Sequence, residues 1–107
     1  MTPVEILTEA LHLIQTKGLG RLRFFDRATG QYCLIGALRQ AAFKNPIPTW
    51  SAPQENYSAY LTAYQAVEAT VPRISPHWGM LGVWSDRSAP GEVELALEQA
   101  IGNEGQL

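Results

Sequence analysis

Residues 21–38 read Arg-Leu-Arg-Phe-Phe-Asp-Arg-Ala-Thr-Gly-Gln-Tyr-Cys-Leu-Ile-Gly-Ala-Leu, and the hydrophobic period changes within this segment. Residues 21–25 begin with the alternation that is typical of a strand, which places Leu22 and Phe24 on one face. The next five residues, 26–30, are of types that favour turns. The chain is then expected to return and pair with the first strand. Because an isolated two-stranded ribbon is barely stable, this hairpin is predicted to pack on a helix.

A helix is expected to follow the hairpin directly, beginning near Cys33 or Leu34 and ending near Lys44. Its apolar residues form a wide face, so it is predicted to be the buried helix. Gly36 inside this helix costs roughly 1 kcal/mol relative to alanine. We therefore expect another element to approach the helix closely at Gly36.

The first helix is predicted to run from Pro3 to about Lys17. Thr2 and Glu5 have the spacing of a capping box, in which each side chain binds the other residue's backbone N–H. Gly18 follows as a natural terminating residue. The N-terminal segment therefore predicts one well-capped amphipathic helix.

A third helix is predicted to begin after a capping box at Ser51 and Gln54 and to end near Val71, because Pro72 follows. Residues 72–88 are too apolar for a bare surface loop, and they fit either a short strand or one helical turn.

The last helix is predicted from about Ala89 to Ile101, with Ser88 or Asp86 as its N-cap. Gly102 is expected to end it.

The chain has 107 residues, of which 46% are apolar and 17% are charged. A chain of this length buries roughly two thirds of its unfolded surface, so it can form one core without disulfides or metals. The sequence predicts a single α+β domain, mainly α, over residues 1–102, with residues 103–107 as a frayed tail. The expected architecture is about four helices with one two-stranded antiparallel hairpin between the first two.

No cofactor and no metal site are expected. One cysteine excludes an intramolecular disulfide, and with two histidines it does not supply a structural zinc set. The N-terminal residues lack the basic and apolar regions of a signal peptide. No apolar run approaches the roughly 20 residues that a membrane-spanning helix needs. A cytoplasmic location without a membrane partner is therefore the expectation.

Two short boxes resemble those of an uncharacterised family of bacterial and phage proteins, classed as a domain of unknown function. The C-x-x-G-A-L box is Cys33 to Leu38, and the aromatic-N-D box is Trp84-Ser85-Asp86, followed by Glu92-Val93. Ser85 stands where the family usually has asparagine. The resemblance spans most of the chain and implies the fold, without an established activity. Its occurrence in phages implies a phage or mobile-element origin and a role in host takeover or anti-defence.

Cys33 supports one enzymatic hypothesis. A cysteine at a helix N-terminus lies at the positive end of the helix dipole, which lowers the pKa of a thiol. His77 and Asp86 follow in the chain order of papain-like thiol enzymes. The competing and favoured interpretation is that Cys33 is a small core residue at the junction of hairpin and helix.

Charge is unevenly distributed. Residues 17–44 carry a net charge of +5, and residues 88–107 carry −4. Arg21, Arg23 and Arg27 on the hairpin could bind phosphates or an acidic protein surface. The alternatives are a solvated basic face paired with the acidic last helix, or self-association as a homodimer. The overall charge of −2 argues against nucleic acid as the main partner.

The sequence therefore predicts a small non-catalytic protein-binding or regulatory module that uses the basic hairpin or the aromatic segment before the last helix. The candidate binding residues are Arg21, Arg23, Arg27, Trp78, Trp84 and Asp86. The first alternative is a thiol-dependent enzyme that uses Cys33, His77 and Asp86. The second alternative is nucleic-acid binding through the arginine-rich hairpin. For Trp84 and Asp86 the favoured interpretation is structural, with Trp84 filling the core and Asp86 capping the last helix.

Overall fold

The computed structural model describes residues 1–47, 55–74 and 81–105. The described residues form five helices and one antiparallel hairpin, not about four helices as the sequence predicted. In chain order the elements are α1 Pro3–Lys17, β1 Phe25–Asp26, β2 Gln31–Tyr32, α2 Leu34–Phe43, α3 Tyr57–Ile74, α4 Leu81–Arg87 and α5 Pro90–Gly105. The expected capping box at Ser51 and Gln54, together with His77 and Trp78, lies outside the described residues.

Helix α1 has the predicted bounds and the predicted cap. The Glu5 backbone N–H donates to Thr2 Oγ1 at 3.2 Å, and the Thr2 N–H donates to Glu5 Oε1 at 2.9 Å. This hydrogen bond from the Thr2 backbone lowers the pKa of Glu5. At the other end, the Gly18 N–H donates to the Ile14 carbonyl. Local chemistry is therefore sufficient to set both ends of α1.

The core lies between four of the helices. Helix α1 packs against α2 and α5, and α3 packs against α5, α1 and α2. The largest fully buried aliphatic side chains are Ile6, Leu7, Leu34, Leu38, Leu81, Leu97, Val67, Val71 and Val93. Truncating such a side chain to alanine costs about 2–5 kcal/mol, so these residues dominate the stability. The four helices form a rigid base for the hairpin and α4.

Two predicted helix ends are wrong. Helix α3 continues past Pro72 to Ile74, because a proline removes one backbone donor while its φ angle remains compatible with a helix. Helix α5 continues past Gly102 to Gly105. Glycine in a helix costs only about 1 kcal/mol, which the buried face of α5 outweighs.

The predicted N-cap of α5 is also wrong. Asp86 lies inside α4, and the Ser88 hydroxyl donates to the Trp84 carbonyl at 2.6 Å. The first turn of α5 instead uses the carbonyl of Ala89, which accepts from Val93, and the Ala89 N–H donates to Glu92 Oε1. The Ser88 hydroxyl and the Asp86 carboxylate do not cap α5 and are thus available for other contacts.

The hairpin is shorter than predicted. Phe25 pairs with Tyr32 and Asp26 with Gln31, while residues 22–24 form bends instead of a strand. Leu22 has φ 67°, a left-handed conformation that interrupts the strand. The predicted turn is confirmed at Gly30, which has φ 75° and whose N–H donates to the Asp26 carbonyl at 2.8 Å.

The close approach expected at Gly36 is confirmed. A Cβ atom built on Gly36 would overlap the backbone carbonyl of Phe24. The overlapping atoms belong to the main chain, so a side-chain rotation cannot relieve the clash. Gly36 therefore fixes the position of the loop before β1 on α2.

We expect Gly36→Ala to lower the free energy of unfolding by about 2 kcal/mol, because the added methyl group pushes the Phe24 backbone off α2. The measurement is urea unfolding followed by circular dichroism. Gly102→Ala is the matched control, since a Cβ there meets nothing within 4 Å. The control is expected to raise stability by about 1 kcal/mol. Equal effects of the two substitutions would contradict the role of Gly36.

Candidate functional site

A groove lies where the loop 21–24 meets α4 and the start of α2. Its volume is about 250 Å³, and we call it the Leu22 groove. Its lining residues come from these three parts of the chain: Leu22, Arg23, Phe24, Cys33, Ile35, Gly82, Val83 and Asp86. Most of these described lining side chains are apolar, with one cation and one carboxylate among them.

The loop is fixed to α4 by polar contacts across a long sequence separation. The Leu22 backbone N–H donates to Asp86 Oδ1 at 2.9 Å, 64 residues along the chain. The Arg21 guanidinium donates to the Asp86 carbonyl and, at 2.7 Å, to the Ser88 carbonyl. The structure therefore brings Arg21 and Asp86 together, and their contacts to the backbone hold the loop.

Helix α4 is in turn fixed to α2. The fully buried Ser85 accepts a hydrogen bond at Oγ from the Leu34 N–H, at 3.3 Å. This N–H is among the first backbone donors of α2, which have no partner within the helix. The Ser85 hydroxyl thus satisfies one of these donors and holds α4 at the N-terminus of α2.

Leu22 is the most unusual residue of the groove. Its side chain is 85% exposed, and its φ angle of 67° is rare for a residue other than glycine or asparagine. A left-handed conformation costs about 1–2 kcal/mol for such a residue. Phe24 and Val83 beside it are also exposed, so the groove presents apolar side chains to solvent.

Arginine side chains lie in the groove and on the elements that form it. Arg23 lines the groove and Arg27 lies in the hairpin turn, and both are exposed. Arg87 is also exposed and lies one helical turn after Val83, so the two residues share a face of α4. The acidic group of Asp26 accepts from the Ala28 N–H within the turn.

Cys33 is buried, and its Sγ accepts from the Gly36 N–H at 3.4 Å as the N-cap of α2. Burial raises the pKa of the Cys33 thiol, and the neighbouring Asp86 raises it further. The backbone N–H groups of Gly36 and Ile35 act in the opposite direction but do not reverse the shift. The thiol is therefore held protonated, contrary to the lowered pKa that the enzymatic hypothesis requires.

We expect the folded thiol to react with a disulfide reagent at pH 8 at least about tenfold more slowly than the thiol in urea, because the thiolate is the reacting form. The raised pKa favours folding below the unfolded value of about 8.5, and this contribution is lost as the pH rises through the folded value. The free energy of unfolding of wild type should thus fall faster above pH 8.5 than that of Cys33→Ser. Rapid reaction of the folded protein would contradict this assignment.

Trp84 is only 3% exposed, which confirms its predicted place in the core. Its Nε1 is buried and has no hydrogen-bond partner among the described residues. The other predicted binding tryptophan, Trp78, and the candidate base His77 lie in the part of the chain that is not described. The proximity of His77 to Cys33 therefore stays a prediction.

The sequence interpretation did not assign the exposed apolar residues of the groove or Arg87 to the site. It placed Leu22 and Phe24 on one face of a strand, because alternation does not report a left-handed residue. The apolar content of residues 72–88 was the signal for Val83, since that segment was too apolar for a bare loop.

Other surfaces of the described residues carry less chemistry. A shallow depression of about 500 Å³ follows α1 and is lined by residues of Met1–His12 alone. The Arg39 guanidinium lies over Phe43 and Tyr60, with its carbon 5.0 and 5.5 Å from the ring centroids, and joins α2 to α3. Among residues 1–47, 55–74 and 81–105, no cluster of metal-ligating side chains occurs, and no helix is long and apolar enough to cross a membrane.

The comparisons with known proteins give a family without an activity. The model of DUF6197, a family of unknown function, matches residues 1–103. No curated protein and no solved structure matches the chain. The matched range includes the hairpin, α4 and the groove between them.

Proposed function

The chain belongs to DUF6197, a family of unknown function, and we propose that it is a non-catalytic protein-binding module whose contact surface is the Leu22 groove. The observation that carries this proposal is the conformation of Leu22. The fold holds an apolar side chain in solvent on a strained backbone, and Arg21 and Asp86 maintain that arrangement. Strained backbone conformations of this kind cluster at binding and active sites.

The composition of the groove supports binding more than catalysis. Cys33 is held as a neutral thiol, and Asp86 uses Oδ1 to hold the loop. The volume of about 250 Å³ lies below the roughly 300–1,000 Å³ of typical small-ligand pockets. A groove of this size suits one or two side chains of a protein partner. A protonated free thiol also suits a reducing compartment such as the cytoplasm.

The contacts of the groove residues also favour protein binding over nucleic-acid binding and over thiol catalysis. Nucleic-acid binding through the arginine hairpin would use Arg23 and Arg27, but Arg21 is occupied by α4 and Leu22 has no role in phosphate contact. A thiol enzyme would need Cys33 as a thiolate. Exposed apolar side chains next to rim cations are instead the usual composition of a protein interface.

The Leu22→Asn variant separates binding from stability. Asparagine tolerates a left-handed backbone, and the exposed Leu22 side chain contributes little burial. We expect this substitution to raise the free energy of unfolding by about 0.5 kcal/mol, as measured by urea unfolding. A clear loss of stability would show that Leu22 serves the fold and would count against the proposal.

The binding test is affinity capture from a lysate of the host, with mass-spectrometric identification. A partner captured by wild type should be lost with Leu22→Asn, because the apolar anchor of the groove is gone. The matched control is Leu61→Gln, which removes an exposed leucine from α3 and should leave capture unchanged. Capture that survives Leu22→Asn would place the contact surface elsewhere.

A further inference from the structure

We infer that the partner of the Leu22 groove is a protein segment that is both acidic and apolar. A bulky apolar side chain enters the groove, and flanking carboxylates pair with Arg23 and Arg87. This inference rests on the proposed protein-binding function and specifies the chemistry of the partner.

The apolar half of this chemistry follows from the lining. Leu22, Phe24, Ile35 and Val83 surround the groove, and three of them are exposed in the free protein. When an apolar side chain of the partner enters the groove, its surface and that of the lining side chains are removed from water. This burial stabilises the complex in proportion to the area covered. The carboxylate among the described lining residues, that of Asp86, accepts from the Leu22 N–H at Oδ1.

The acidic half follows from which charges are already engaged. Asp26 and Asp86 both accept backbone hydrogen bonds within the chain. Arg23 and Arg87 make no hydrogen bond or ion pair with the described residues. These two guanidinium groups are therefore available to carboxylates on the partner, which complete the pairing.

Two other occupants fit this surface less well. A single-stranded nucleic acid is bound by aromatic platforms that stack bases, whereas the described lining residues of the groove include one aromatic side chain, Phe24, among aliphatic ones. A second copy of the chain has related chemistry on α5, where the exposed Leu95 lies between Glu92 and Glu98. Because that face offers a single apolar side chain on a convex helix, we favour a segment of another protein.

The test is a selection from a phage-displayed library of random dodecapeptides on the full chain, with depletion on Leu22→Asn. We expect enriched peptides that combine a bulky apolar residue with aspartate or glutamate. Synthetic versions of these peptides should bind Arg23→Gln/Arg87→Gln about fivefold more weakly than wild type. Their binding to wild type should also weaken with added salt. The control Lys17→Gln/Lys44→Gln removes the same charge away from the groove and should change binding little.

Each other outcome overturns the inference in a distinct way. If the selected peptides require Leu22 but lack acidic residues, or bind Arg23→Gln/Arg87→Gln as tightly as wild type, the inference of an acidic partner is wrong and the proposed function stands. If no selected peptide requires Leu22 for binding, both the proposed function and the inferred acidic partner are wrong. Tighter binding of oligo-dT than of any peptide assigns the site to nucleic acid. Concentration-dependent dimerisation in analytical ultracentrifugation, abolished by Leu22→Asn and by Leu95→Gln, assigns the groove to a second copy.

Discussion

The contact between the Phe24 carbonyl and Gly36 determines how the loop before β1 lies on α2. With no side chain between them, the two backbones meet directly, and the loop is brought within reach of α4. Arg21 and Asp86 then close the arrangement through hydrogen bonds to the backbone on the opposite element. The groove between the loop and α4 follows from this close approach, because a larger residue at position 36 would separate its two walls.

The polar contacts of the chain differ in what they contribute. Ser85 accepts from a helix N-terminal donor in a fully buried position, where an unsatisfied group would cost about 1–3 kcal/mol. The exposed ion pair of Lys44 and Glu9, at 3.2 Å, contributes little in water. The contacts that hold α4 at the N-terminus of α2 therefore matter more for the shape of the groove than the visible surface charge pair does.

The division of labour within the fold explains how a small chain tolerates an exposed, strained leucine. Helices α1, α2, α3 and α5 supply most of the core, to which α4 adds Leu81 and Trp84. The hairpin loop and the outer face of α4 shape one surface. Binding residues commonly lie on loops held by such a scaffold. The cost at Leu22 is about 1–2 kcal/mol, which is less than the truncation of one buried aliphatic side chain costs. The core can offset a cost of this size without losing the fold.

The sequence by itself determined the features that depend on near neighbours. The bounds of α1, the start of α2 and the left-handed turn at Gly30 follow from residues a few positions apart. The glycine within α2 indicated the tight contact at Gly36, although its partner, Phe24, lies farther away along the chain. Capping and turn preferences act over a few positions, so local patterns report them. Asp86 looked like a helix cap for the same reason, because its neighbours resemble a helix start.

The tertiary structure alone decided the site. The contacts of Arg21 and Asp86 join residues more than 60 positions apart, and they turn a predicted strand into a bend with Leu22 exposed. The tertiary structure also places the Leu22 N–H within hydrogen-bonding distance of Asp86. It buries Cys33, so that the Cys33 thiol stays protonated. Local propensity does not predict a hydrogen bond whose partner lies on another helix, because that bond forms only after the helices have packed.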